Sequence, residues 1–124
     1  MPILSFSVGG QKEKILDGRK RQTMRGPRKI PIRVGDTLYL WWKSRSRYEK
    51  QFLGKTVCIS VRRVRLDEVW NDEENAVKDG FDSLRQFRDC FVWNYWYAEK
   101  KDLEKYLHSV EYDIISWEYP LKPR

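Results

Sequence analysis

The chain has 124 residues, of which 40% are hydrophobic and 15% aromatic, and its net charge is +7. This length favours a single domain over residues 1–124, and the aromatic content argues against disorder even though 35% of the residues are charged. No apolar run reaches the roughly 20 residues of a membrane span and no signal-peptide pattern occurs, so the sequence predicts a cytoplasmic protein without a membrane partner.

An alternating segment at Ile3–Val8 predicts the first strand. A short helix is expected between Gly10 and Gly18, because Gly18 is a good helix-ending residue. Two prolines and two glycines predict a loop over residues 25–36. The next strand is expected over residues 36–43, with its two leucines on one face, and a polar, basic hairpin loop follows it.

The clearest predicted strand is Thr56–Leu66. In it Val57, Ile59 and Val61 recur with period two and form one apolar face. The apolar residues then change parity, which predicts a β-bulge near Arg62–Arg63.

The second half of the chain is mainly helical before a closing strand. Residues 66–80 are acidic and are predicted to be partly helical, and the best helix covers residues 82–96 with Asp82 or Ser83 as its cap. Residues 110–119 form the last predicted strand. The apolar residues of the best helix follow the spacing of a buried stripe: Leu84, Phe87, Phe91 and Tyr95.

The predicted element order is β, α, loop, β, β, α, α, β. Strands outnumber helices, and three strands are joined by loops too short for parallel crossovers. The order therefore favours an α+β fold, a small and mainly antiparallel barrel or curled sheet with helices at its rim.

The charge of the chain is concentrated in its first half. Residues 1–65 carry 17 Lys and Arg against 4 Asp and Glu, a net +13, whereas residues 66–124 carry a net −6. A basic surface of this kind is typical of proteins that bind RNA or nucleotides. The alternative is a solvated surface whose cations form ion pairs with the acidic half.

Metal and disulfide chemistry have little support in the sequence. The cysteines Cys58 and Cys90 stand far apart, His108 is the sole histidine, and no CxxC or HxxxH spacing occurs. A zinc site needs three or four such ligands, and cytosolic cysteines are usually reduced. We therefore expect no metal, no cofactor and no disulfide.

The stretch DGRKRQTMR, residues 17–25, has three candidate roles. It could close the helix as a basic turn, hold a phosphate, or present Thr23 as a nucleophile with Lys20 as its base. A lysine acts as a base only when burial or nearby cations lower its pKa. In an extended strand Thr23 and Arg25 share a face and Lys20 points away, so the pair requires a turn between Lys20 and Gln22.

The same stretch resembles the G-x-K-x-x-[ET]-x-R motif of ASCH domains through Gly18, Lys20, Thr23 and Arg25. Four further segments are similar to the family in the right order: VGDTLYLWW, LGKTVCISVRRV, VKDGFDSLRQFRDCF and YDIISWEY. The resemblance covers nearly the whole chain. It implies a PUA-like pseudo-barrel, in agreement with the element order.

The resemblance also implies a function. ASCH domains are thought to bind RNA in a cleft beside the motif, some small bacterial members are N4-acetylcytidine amidohydrolases, and others are linked to RNA cleavage. It implies catalytic roles for Lys20 and Thr23, and it places Asp79 where the amidohydrolases have Glu, which is one methylene longer. The expected function is binding of RNA or a modified nucleoside, and the alternatives are amide hydrolysis and a ribonuclease.

Further binding residues are expected around the motif and in the aromatic and basic segments. Trp41 and Trp42 lie on opposite faces of one predicted strand, so one is expected in the core while the other could stack on a base. The aromatic segment FVWNYWY exceeds what one helix face buries, which suggests a homodimer. The complete set of expected RNA- or ligand-binding residues is Gly18, Arg19, Arg21, Arg25, Trp41, Trp42, Lys43, Arg45, Arg47 and Tyr48.

Overall fold

The computed structural model of the chain describes residues 2–97 and 103–123, with the helix backbone alone over residues 92–97. The described strands are β1 (Ile3–Phe6), β2 (Gln22–Arg25), β3 (Thr37–Trp42), β4 (Gln51–Arg65) and β5 (Glu111–Trp117). The described helices are α1 (Gln11–Asp17), α2 (Leu66–Val69), α3 (Glu73–Lys78), α4 (Leu84–Tyr97) and α5 (Leu103–Ser109).

The described strands form one curled sheet in the order β1-β3-β4-β5-β2. Strand β1 runs parallel to β3, and the other neighbours are antiparallel. With 15 residues, β4 is long enough to pair with β3 along its first part and with β5 along its second. This arrangement confirms the predicted α+β class and leaves β1 and β2 as the two edges of the sheet.

Two hydrophobic clusters stabilise the fold. One contains Phe87 and Phe91 of α4 together with residues of α2, α3, α5 and β5, and the half-buried Leu84 packs against it. These three members of the predicted stripe therefore lie where expected, and Tyr95 falls outside the described side chains. The second cluster lies around β1, α1 and β3, where the two leucines of β3 are fully buried.

The apolar face predicted for β4 is wrong at its centre. Val57 and Ile59 are exposed, whereas Cys58 between them is fully buried. The cause is tertiary: the backbone of Cys58 exchanges hydrogen bonds with Gly35 and Asp36, which holds its side chain on the inner face. The irregularity in the pairing with β5 lies between Cys58 and Ser60, earlier than the predicted bulge near Arg62–Arg63.

Strand β2 is absent from the predicted element order. It pairs antiparallel with β5, with Thr23 opposite Ile115 and Met24 opposite Ile114. A strand of four residues with no apolar alternation carries no local signal, so it takes its conformation from the neighbouring strand.

The helix boundaries follow the sequence closely. Helix α1 ends at Gly18, which adopts a left-handed φ of 87°. A Cβ atom there would lie 2.9 Å from the Tyr119 ring, so glycine is required for packing as well as for conformation. Ser83 caps α4 by accepting the backbone N–H of Gln86 at 3.1 Å. No helix in the described ranges is long and apolar enough to cross a membrane.

Candidate functional site

A cavity of about 300 Å³ opens between the free edges of β1 and β2. We call it the seam cavity. Arg25 spans the gap by donating from Nη2 to the carbonyl oxygen of Ser5 at 2.7 Å. The lining residues come from both edges, the start of α1, the turn after α3, α4 and β5: Ser5, Phe6, Ser7, Val8, Gln11, Lys20, Thr23, Met24, Arg25, Gly26, Asp79, Phe81, Cys90, Phe91 and Tyr112.

A buried ion pair forms the floor of this cavity. Lys20 is 1% exposed and Asp79 is 3% exposed. The Lys20 amine donates to the carbonyl oxygen of Asp79, and its Nζ lies 3.5 Å from Asp79 Oδ1. Gln11 Nε2 donates to the same carbonyl at 3.2 Å. The site therefore holds the lysine through both the backbone and the side chain of Asp79.

The turn at Gly80 makes room for the lysine. Gly80 has a φ of 90°, and a Cβ atom there would lie 2.6 Å from Cδ of Lys20. Only glycine combines this left-handed backbone with so close an approach. The Asp-Gly pair after α3 thus places the carboxylate and leaves space for the amine.

Burial shifts the protonation equilibria of the pair. Desolvation, assisted by the nearby positive charge of Arg25, lowers the pKa of Lys20 to about 8 against the attraction of the Asp79 carboxylate. Desolvation raises the pKa of Asp79 to about 6, against the attraction of Lys20. The site therefore holds a lysine that loses its proton far more readily than an exposed one.

Thr23 and Arg25 lie on the β2 side of the cavity. The buried Thr23 hydroxyl accepts a hydrogen bond from Arg25 Nε at 3.2 Å. The Arg25 guanidinium and the Lys20 amine both lie over the Phe6 ring, at 4.8 Å and 5.4 Å from its centre. Two cations thus lie near one aromatic ring. Among the described residues no hydrogen bond joins Lys20 to Thr23.

The chain turns at Gly18 and Arg19, before Lys20, rather than between Lys20 and Gln22 as a Thr–Lys pair was expected to require. Strand β2 begins at Gln22, and the backbone N–H of Lys20 donates to the carbonyl of Lys14 in α1 at 2.9 Å. Lys20 is therefore outside the pleated strand, and its side chain lines the same cavity as Thr23. The structure brings together Lys20, Thr23, Arg25 and Asp79.

The other basic residues of the motif lie elsewhere. Gly18, Arg19 and Arg21 line a separate groove beside Tyr119 and do not reach the seam cavity. Arg19 pairs with Asp17 at 2.7 Å, and the Arg21 guanidinium lies 4.7 Å from the centre of the Tyr119 ring.

The two tryptophans of β3 are also outside the seam cavity. Trp41 is half-buried against Phe52, with ring centres 5.1 Å apart. Trp42 is half-buried against the second hydrophobic cluster, and the amines of Lys12 and Lys43 lie over its ring. Both rings pack against the protein, and neither presents an open face at the cavity.

A second cleft adjoins the seam cavity, and we call it the hairpin cleft. It lies between the end of β1 and the turn that joins β3 to β4, and it shares Ser5 and Ser7 with the seam cavity. Arg47 and Tyr48 are outside it, with the guanidinium of Arg47 5.7 Å from the Tyr48 ring centre. Its full lining is Ser5, Ser7, Lys43, Ser44, Arg45, Ser46 and Glu49.

The sequence did not identify Ser5, Phe6 and Gln11 as site residues. Their position depends on the edge of β1 facing the edge of β2, a tertiary contact that no local pattern encodes. The one available signal is Gln11, a polar residue at the start of a helix that proves to be 4% exposed. Among the described residues no three His, Cys, Asp or Glu side chains group as a metal ion requires.

Solved structures share this architecture. ASCH from Zymomonas mobilis superposes with a TM-score of 0.60 over 98% of this chain and 68% of its own, at 16% identity. The chain has the fold of an ASCH domain. Two single-substitution variants of ZmASCH match with a TM-score of 0.59 at 15% identity, over 98% and 99% of this chain and 68% and 73% of theirs.

The comparison confirms the resemblance suggested by the motif, together with the PUA-like fold. No family model and no curated protein matches the sequence. In this ASCH fold the motif runs from the end of α1 into β2, so Gly18 closes the helix while Lys20, Thr23 and Arg25 reach the seam cavity. Chemically, the motif and Asp79 together supply the cavity with two cations, the Thr23 hydroxyl and one buried carboxylate.

Proposed function

We propose that the seam cavity binds a nucleoside, either free or as a unit of an RNA strand. The observation that carries this proposal is Asp79 Oδ1, which is buried at the cavity, lies 3.5 Å from the Lys20 amine and accepts no closer hydrogen bond from the described residues. Leaving a buried acceptor unsatisfied costs about 1–3 kcal/mol, so a ligand that donates an N–H there would gain affinity. Nucleobases carry such N–H groups beside carbonyl oxygens, which Lys20 or Arg25 can bind.

The other lining groups suit a base. Phe6, Phe81, Phe91 and Tyr112 give the cavity aromatic walls, and stacking on such rings is worth about 1–3 kcal/mol per base. The net +13 of residues 1–65 favours association with a negatively charged strand. The ASCH fold itself is consistent with an RNA-binding role.

Binding can be tested with the conservative variant Asp79→Asn. The amide keeps the shape of the side chain but removes the carboxylate, so we expect affinity for single-stranded RNA and for nucleosides to fall about tenfold. The measurement is fluorescence anisotropy with labelled RNA and competition by nucleosides. Asp82→Asn is the matched control, because Asp82 is exposed and pairs with Lys14 outside the cavity. Equal affinities for both variants would contradict the proposal.

A second candidate function is the hydrolysis of an acylated nucleoside, and the observation that favours it is the buried Lys20 beside Thr23. In this reaction Thr23 Oγ attacks the acyl carbonyl of N4-acetylcytidine while Lys20 accepts its proton, and that proton passes to the departing N4 of cytidine. Water then hydrolyses the acyl-threonine ester and releases acetate. The Lys20 amine must first move from the Asp79 carbonyl towards Thr23.

Turnover separates the two functions. Conversion of N4-acetylcytidine to cytidine and acetate is expected to disappear in Thr23→Ala and Lys20→Met, whereas Thr23→Ser retains a hydroxyl and part of the rate. RNA affinity of Thr23→Ala is expected to stay near that of the wild type. Binding without turnover would exclude this hydrolase role and leave the binding proposal standing, and degradation of the RNA probe would indicate the ribonuclease instead.

A further inference from the structure

We propose that the hairpin cleft is a phosphate subsite, so that the seam cavity receives a nucleotide rather than a bare nucleoside. This inference rests on the proposed function of the seam cavity. It also distinguishes the two arginines of the basic hairpin, because it assigns phosphate binding to Arg45 and not to Arg47.

The two depressions are adjacent. Ser5 and Ser7 line both of them. Ser5 also ties the hairpin to β1, because its Oγ accepts the backbone N–H of Ser44 at 3.1 Å. A nucleoside in the seam cavity therefore has the hairpin cleft beside it, and a phosphate on its sugar would extend in that direction.

Two hydroxyl groups of the cleft have a donor that the described residues leave unused. Ser5 Oγ accepts the N–H of Ser44, and Ser46 Oγ accepts the N–H of Glu49 at 3.0 Å. Within the described residues neither hydroxyl donates a hydrogen bond. Since each oxygen already accepts, each O–H proton remains free to donate to a phosphate oxygen.

Of the two cations that line the cleft, Arg45 is the available one. Lys43 pairs with Glu49 at 2.9 Å, which offsets its charge. Arg45 is exposed, and in the part of the chain that the structure describes it forms no ion pair. A guanidinium binds phosphate through a planar pair of N–H donors, so Arg45 suits this role.

The backbone of the hairpin is held in place without a ligand. Lys43 adopts a φ of 46°, a left-handed conformation that non-glycine residues rarely take. Its N–H donates to Phe6 O and its carbonyl accepts from Ser46 N–H, at 2.8 Å and 2.9 Å. The turn therefore keeps the lining serines and Arg45 beside the end of β1.

The experiment compares nucleosides with their phosphates on matched arginine variants. Calorimetric titrations would use the four ribonucleosides, their 5′- and 3′-monophosphates, and a short single-stranded RNA. We expect at least one phosphate-bearing ligand to bind about tenfold more tightly than its nucleoside at low salt. Arg45→Ala should remove that gain, whereas Arg47→Ala, on the same hairpin but outside the cleft, should keep it.

Each outcome decides a separate point. A gain with monophosphates identifies a free nucleotide as the ligand, whereas a gain with the RNA alone identifies an internal phosphodiester. Equal affinities for nucleosides and phosphates, or equal losses in Arg45→Ala and Arg47→Ala, would overturn the phosphate subsite and leave nucleoside binding intact. Failure of every nucleoside, nucleotide and RNA to bind would overturn the function of the seam cavity itself.

Discussion

A buried lysine and a buried aspartate side by side oppose folding unless their attraction offsets the loss of hydration. Lys20 and Asp79 are both almost fully buried, and the hydrogen-bonding capacity of the carboxylate is not exhausted by the described residues. Replacing such a pair by apolar residues often stabilises a protein, and the proposed binding function of the seam cavity would account for its presence. Gly80 is the residue that permits this arrangement, since the lysine stem lies where a side chain would begin.

The role of Gly80 can be tested against another left-handed glycine. Gly10 has a φ of 85°, and a Cβ atom at that position would have no other atom within 4 Å, whereas at Gly80 it would lie 2.6 Å from Lys20. Gly10→Ala should cost about 1 kcal/mol from backbone strain alone. Gly80→Ala should cost more and should also reduce nucleoside affinity, as urea unfolding and titration would show. Similar losses in both variants would mean that the lysine adjusts freely.

At the scale of elements, one side of the candidate site is formed by β2, a short strand without an alternating apolar pattern. Among the described strands β2 pairs with β5 alone, and its free edge faces β1 across the seam cavity. Helix α1 joins those two edges, so its glycine end sets where Lys20 leaves the helix and enters the cavity. Strand β4 shows the same dependence on neighbours, because contacts with the residue 35–36 turn select Cys58 as its inward residue.

Two isoleucines of the sheet differ in exposure, so replacing each by alanine should lower the free energy of unfolding by different amounts. Ile115 of β5 is 1% exposed, whereas Ile59 of β4 is 51% exposed. Ile115→Ala should lower the free energy of unfolding by about 2–5 kcal/mol, since it removes buried methyl groups and leaves a cavity. Ile59→Ala should change it by less than about 1 kcal/mol. Chemical denaturation measures both, and a large loss at Ile59 would contradict the register described for β4.

At the scale of the whole molecule, the opposite charges of the two halves are partly used in ion pairs. Lys14, Lys20 and Arg63 pair with acidic residues of the second half. Arg45 and Arg47 form no such pair in the described ranges, which leaves positive charge around the hairpin. Part of the basic half therefore binds the acidic half, and the proposed anionic partner would contact the part that forms no such pair.

The buried Lys20–Asp79 pair should also make the free energy of unfolding of the whole domain depend on pH. Because the pKa of Asp79 is raised in the folded protein, its protonated carboxyl favours folding. This stabilisation is fully present below pH 3.8, the pKa of the unfolded state, and is lost as pH rises through about 6. The lowered pKa of Lys20 has the opposite consequence, a contribution present above 10.5 and lost as pH falls through about 8.

The measurement is urea unfolding of wild type and Asp79→Asn across this acid range. The variant should lose less stability than the wild type as pH rises from about 4 to about 6, because it has no carboxylate to ionise in the interior. Asp82→Asn serves as the control. Lys14 lowers the pKa of the exposed Asp82, so the stability that this group contributes changes with pH in the opposite direction. Parallel curves for wild type and Asp79→Asn would contradict the raised pKa.

The sequence by itself determined the elements whose signals are local. Gly18 ended α1, Ser83 capped α4, and the leucines of β3 and the phenylalanines of α4 entered the core. The helix ends and core positions follow from backbone preference or from the period of a helix or strand, whereas the ASCH fold was indicated by the resemblance of five ordered segments to that family.

Only the tertiary structure decided where the site lies. It made β2 a strand, turned Cys58 inward, separated Arg19 and Arg21 from Lys20, and placed Ser5 and Phe6 opposite Thr23. These features depend on contacts between segments that are distant along the chain. Such contacts produce neither a periodic pattern nor a local propensity in the sequence.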